Sequence, residues 1–168
     1  MANPTMTLIA SQALASTTAS VTFSSIPSTY TDLKVVMSLR TNYAANYDNF
    51  NMSINSSTTS FTFKEIYGSG SAASSYSTTT GLITDINAAN NTVSTFSNLD
   101  IYIPNYTAAN NKSYSADSVQ ENNATLAYAE MVAGLWSNTS AITSLTFTSN
   151  NGSFVQYSTF YLYGISNS

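Results

Sequence analysis

The 168-residue chain has no histidine, no cysteine, three prolines, six glycines, four basic and eight acidic residues. Each shortage excludes something. Without His or Cys, neither Ser-His-Asp nor Cys-His arrangements can form, and zinc, haem and iron–sulfur sites of the usual kinds lose their ligands. No disulfide framework is possible, which suits assembly in a reducing cytosol. Lys34, Arg40, Lys64 and Lys112 are too few to make a phosphate-tracking surface or a basic membrane patch, so neither nucleic acid nor membrane is expected as a partner. No apolar run reaches the length of a membrane-crossing helix. The "ALA" at 13–15 looks like a signal-peptidase site, but no Lys or Arg precedes Lys34 and "MTLIA" is too short for an h-region, so no signal peptide is expected. "GSG" at 68–70 is a lone glycine pair in a Ser-rich stretch and not a P-loop or dinucleotide fingerprint. No cofactor is expected.

Uncharged polar residues fill the space that charge vacates. Charged residues make up 7%, against roughly 25% in ordinary globular domains. Ser, Thr and Asn number 29, 24 and 19, or 72 of 168 positions. With 43% hydrophobic residues, 12 Tyr, 8 Phe and a net charge of only −4, the chain lacks the high charge and aromatic poverty of disordered segments. One domain spanning 1–168, with a core of its own, is the expectation.

Period-two alternation dominates. "TMTLI" (5–9), "ASVTF" (19–23), "LKVVMSLR" (33–40), "NFNMSIN" (49–55), "SFTFKEIY" (60–67) and "NLDIYIP" (98–104) all read as strands. "KSYSADSVQ" (112–120) is a weaker strand pattern. "TLAYAEMVAGLW" (125–136) has helical propensity, but Gly134 and its all-strand setting favour an extended reading. "AITSLTF" and "FVQYSTFYLYGI" flank Asn151-Gly152, the strongest hairpin signal in the chain. Residues 68–81, "GSGSAASSYSTTTG", read as a flexible Ser/Gly-rich loop. About nine short strands without strand–helix alternation predict an all-β fold, a single antiparallel β-sandwich of jelly-roll-like form.

Catalysis would have to rest on paired carboxylates of the glycosidase kind. Of the eight acidic residues, Asp100 and Glu130 lie within apolar strands where burial could raise a pKa. Solvent-facing positions are the simpler expectation for both, and the chain is read as a non-enzyme with no catalytic or metal residues. "DINAANN" (85–91) offers oxygen ligands but lacks the Gly and Glu of an EF-hand, and reads as an Asn-rich turn. Tyrosines beside Asn and Ser suit both adaptable binding surfaces and subunit interfaces. Tyr43, Tyr47, Tyr76 and Trp136 are the candidate contact residues.

"SVTFSSIPSTYTDLKVVMSLRTN" (20–42) and "VAGLWSNTSAITSLTFTSNNGSFVQYSTFYLYGI" (132–165), with the early "TLIASQAL", the bend F-x-x-I-P-x-x-Y-x-D-L and the closing F-x-L-Y-G-I, resemble virion proteins of tailed bacteriophages. The resemblance covers both ends of the chain well and the middle poorly. It implies a small β-sandwich displayed on a capsid or tail fibre, and it transfers no site residue. In "STFYLYGIS" (158–166), Phe160 and Leu162 face one way, and Tyr161, Tyr163 and Ile165 form an apolar stripe on the other. A second copy, first expected as a homotrimer, or the major capsid protein would cover that stripe. Head decoration, as cement or knob on the outer capsid surface, is the leading expectation. A tail-fibre or tail-tip module binding host glycans is the alternative. Either places the protein in the virion, assembled in the host cytoplasm.

Overall fold

The structure, a computed structural model, describes residues 5–121, 123 and 126–166. The alternating segments become twelve strands: β1 (Met6–Ala13), β2 (Ser20–Phe23), β3 (Asp32–Leu39), β4 (Tyr47–Ile54), β5 (Phe61–Gly68), β6 (Ala73–Thr78), β7 (Leu82–Asn87), β8 (Ser97–Ile103), β9 (Lys112–Val119), β10 (Ala129–Trp136), β11 (Leu145–Ser149) and β12 (Thr159–Ile165). All pair antiparallel. Eight form one sheet, in the order β1-β12-β3-β8-β9-β10-β5-β6, and four form a second, β2-β11-β4-β7. The fold is an all-β sandwich. Its strand order does not by itself single out a jelly roll, whose eight strands make two Greek keys.

The core lies where the sheets face each other. Leu33, Val35, Met37 and Leu39 of β3 are buried, as are Phe50, Met52 and Ile54 of β4. Phe147 of the small sheet stacks on Phe160 of the large one at 6.0 Å between centroids and on Phe50 at 5.6 Å. The bend before β3 is stapled by Phe23 and Ile26, both buried, and by the Tyr30 ring. A Cβ on Gly164 would fall 2.3 Å from Tyr30 Cγ, so the glycine of "FYLYGI" is required by close approach.

The C-terminal strand lies inside the large sheet beside the first, as the sequence predicts. β12 pairs with β1 and β3, placing Leu8 opposite Tyr163, Met6 opposite Ile165, and Tyr161 opposite Val36. Tyr161, Tyr163 and Ile165 are half-buried on the outer face. Further along the same face, Ile66 (59% exposed) sits opposite Met131 (62% exposed).

Three expectations need correction. Residues 68–81 are not one loop, because Ala73–Thr78 is the edge strand β6 paired with β5. A strand of one Ala and otherwise Ser, Thr and Tyr, with no inward large aliphatic side chain, carries too little alternation to be seen. β7 is likewise additional to the strands expected. Asn151-Gly152 makes no two-residue hairpin, since β11 and β12 belong to different sheets and neither residue has the positive φ that a type I′ turn needs. The buried Asp48 carboxylate accepts the backbone N–H of Asn151 (3.2 Å) and of Gly152 (2.9 Å), holding the chain as it crosses between sheets. Residues 129–136 of the ambiguous segment are strand β10, and residue 125 lies outside the described residues.

A tyrosine and carboxyl cleft as the candidate functional site

Eight strands cannot be covered by four. β7, at the edge of the small sheet, packs over β9 and β10, and the inner faces of β5 and β6 extend past it. Alternation along β5 sends Phe61 and Phe63 into the core and then places Glu65 and Tyr67 on the same face beyond the cover. The result is a cleft of about 480 Å³ between the overhang and the edge of the small sheet.

Register decides which side chains meet there. Glu65 on β5 lies directly opposite Tyr76 on β6, and Tyr67 on β5 lies directly opposite Glu130 on β10. Acid and aromatic thus alternate across three strands on one face. From the small sheet, β4 contributes Tyr47, Asn49 and Asn51, and β7 contributes Asp85. Tyr128 stands edge-on to both Tyr47 and Tyr67, each at 5.8 Å, with interplanar angles of 81° and 89°. These perpendicular rings make an aromatic corner rather than a flat stack.

The carboxyl groups are tied into this corner. Glu130 is only 5% exposed. Its Oε2 accepts the Asp85 backbone N–H at 2.9 Å and the Ser118 hydroxyl at 3.4 Å. Glu65 and Glu130 share the cleft and each shifts the titration of the other. Burial pushes the Glu130 carboxyl up to about 9, and the nearby charges of Asp85 and Glu65 add to it. Burial also raises Asp85, to about 7, against the lowering effect of the Asn49 amide that donates to it. Glu65 is raised chiefly by burial.

No basic side chain lines the cleft, because the four cations are placed elsewhere. Arg40 donates to the carbonyls of Thr92 (2.8 Å), Thr95 (2.9 Å) and Asn91 (3.1 Å), tying down the segment after β7. Lys112 Nζ donates to the carbonyl of Ala108 at 2.7 Å. Lys34 pairs with Asp100 at 2.7 Å. Lys64, next to Glu65 along β5, points to the opposite face of the sheet, where it lies opposite Ala133. Among the described residues, no group of three His, Cys, Asp or Glu could hold a metal ion.

The candidate residues fare differently. Tyr47 and Tyr76 line the cleft, whereas Tyr43 does not. Trp136 is no contact residue: it is 1% exposed and stacked on Phe61 at 6.5 Å in the core. Glu130 departs from the solvent-facing expectation, while Asp100 keeps it through its surface pair with Lys34. Glu65, Asp85, Tyr67 and Tyr128 join the site only because pairing brings β4, β5, β7 and β10 together. A signal for Glu65 was present in the sequence: it continues the inward phase set by Phe61 and Phe63.

No protein-family model matches the chain, and no curated protein matches it. Among solved structures, it is similar to CG-16, a homodimeric agglutinin from chicken liver, at 11% identity over 77% of this chain and 99% of that one, with a TM-score of 0.26. A likeness of that size carries no weight for function.

Proposed function

We propose that this chain is a surface protein of a tailed-phage virion and that it recognises a host saccharide through the tyrosine cleft. The virion assignment rests on the "FSSIPSTYTDL" and "FYLYGI" motifs. The recognition reading is carried by one observation: Tyr47, Tyr67, Tyr76 and Tyr128 surround a polar cleft whose remaining wall is largely Asn, Ser, Thr and carboxyl groups. Aromatic faces take the C–H faces of sugar rings, and amide, hydroxyl and carboxyl groups exchange hydrogen bonds with sugar hydroxyls. Immunogold labelling of virions, paired with a saccharide array, tests both parts. Label on the tail together with array signal lost in Tyr67→Ala and Tyr76→Ala supports the reading. An array without signal removes the recognition part.

Head decoration is the second reading, favoured by the outer face of the large sheet. Met6, Leu8, Ile66, Val119 and Met131 are exposed there, with the half-buried Tyr161, Tyr163 and Ile165 among them. Covering that face with capsid protein or with further copies in a homotrimer would remove apolar surface from water. Label spread over the head, together with binding of the purified chain to empty capsids, would favour this reading over recognition at the tail.

A further inference from the structure

The carboxyl groups carry the saccharide reading one step further. Three of the chain's eight acidic residues, Glu65, Asp85 and Glu130, line one cleft. The charged and titratable groups facing Glu130 are Glu65 and Tyr67 from β5, Asp85 from β7, and Tyr47 and Tyr128 beside them, with Asp48 of β4 acting on Asp85. None is a cation. Ser, Thr and Asn, at 72 of 168 positions, are the chain's common polar side chains. A neutral saccharide would be served as well by those residues, without crowding like charges out of water. The aromatic corner supplies a second, independent preference. Rings edge-on to one another present faces on two sides of a shared space, and aromatic faces attract cations.

We propose that the cleft takes an amino sugar with a free ammonium group, its charge held by the carboxyls of Glu65, Asp85 and Glu130 and its ring seated on the tyrosines that alternate with them. The inference rests on the saccharide reading and names the chemical class of its ligand. The ammonium takes the place of the proton that burial holds on Glu130 and offsets the charge of the carboxyls that line the cleft. Binding therefore releases protons to the buffer. Carboxyl groups otherwise held neutral by burial become charged on binding, and each can accept a hydrogen bond from the ammonium. N-acetylated sugars carry no charge there and gain none of this.

The test is calorimetric titration of the full chain at pH 7 with glucosamine, galactosamine and the β-1,4-linked glucosamine disaccharide, each set against its N-acetylated counterpart. At least one free amine should bind tenfold or more tightly than its acetylated form, with a heat that changes with the ionisation enthalpy of the buffer. The double variant Glu65→Gln/Glu130→Gln, which removes two of the three charges without removing volume, should cut that preference and the proton release severalfold while keeping the fold. Equal binding of free and acetylated forms overturns the ammonium inference and leaves the saccharide reading standing. No binding of either form overturns the ammonium inference, and a blank saccharide array would then remove the wider reading too. Should Glu65→Gln/Glu130→Gln fail to fold, Tyr128→Ala replaces it: a preference unchanged in that variant overturns the proposed seat.

Discussion

Replacing Glu130 with Gln should stabilise the free protein at neutral pH and leave it nearly unchanged in mild acid. Burial raises the Glu130 carboxyl from its ordinary 4.5 to about 9, so the folded state holds this proton more tightly than the unfolded chain does. Stability from the group is therefore complete below about 4.5 and is lost as pH rises toward 9. By pH 7 the wild type has given up roughly 3 kcal/mol, at 1.36 kcal/mol per pH unit. The amide of Glu130→Gln would keep the acceptor oxygen for the Asp85 N–H and carry no charge to desolvate, so the variant should lose less stability than the wild type as pH rises, keeping only the share that Asp85 and Glu65 contribute. Urea unfolding followed by the fluorescence of Trp136, the single and buried tryptophan, reads the difference directly. With a slope of about 2 kcal/mol/M, the midpoint of Glu130→Gln should exceed that of the wild type by about 1–2 M at pH 7. The two should converge near pH 4.5. Parallel loss of stability in both proteins between pH 5 and pH 8 would refute the assignment of the buried charge to Glu130.

Other outcomes follow from packing and from the outer face. Trp136→Ala should destabilise the fold by about 3–5 kcal/mol, read as a fall in melting temperature; a variant that melts normally would contradict burial of the indole against Phe61. Gly164→Ala should cost about 1–3 kcal/mol by overpacking, because its Cβ meets the Tyr30 ring, and truncating Tyr30 in the same chain should recover part of the loss in calorimetry. Tyr161→Ser with Tyr163→Ser should leave the melting of the sandwich largely intact while lowering the oligomer fraction or capsid binding in sedimentation. Unchanged assembly would mean that the outer stripe of β12 is not the contact.

How much of this was legible in the sequence depended on whether alternation reported burial on one face. β3, β4 and β12 show it plainly, because Leu33, Val35, Met37, Phe50, Met52, Ile54, Phe160 and Leu162 all face the core. β6 was unreadable for the same reason. It lies on the uncovered overhang, so neither of its faces needs aliphatic residues, and "ASSYST" resembles a linker. The hairpin expected at Asn151-Gly152 failed because tertiary structure outweighed a local preference. Asp48, more than a hundred residues earlier, supplies the acceptor that bends the chain toward the other sheet.

The cleft was illegible for a different reason, and that reason says where sites arise in such a fold. A carboxylate on the inward phase of a strand, such as Glu65 after Phe61 and Phe63, contradicts the pattern only if the facing sheet reaches that far. Local sequence does not reveal how many strands the facing sheet has, since that count is settled by which segments pair. Here β7 ends the small sheet above β10, leaving Glu130 just beneath the rim and Glu65 just beyond it. Position relative to the rim sets how deeply each carboxyl is buried: Glu130 is 5% exposed and Glu65 is half-buried, and burial raises both. Solvent and ligand can therefore reach Glu65 more readily than Glu130. The single substitution Glu65→Gln, with Glu130 retained, should therefore weaken ligand binding while leaving most of the pH dependence of stability in place, since Glu130 is the more deeply buried acid. Titrating that variant by calorimetry and by urea unfolding separates the two roles, and equal loss of both would show that the two carboxyls act as one group.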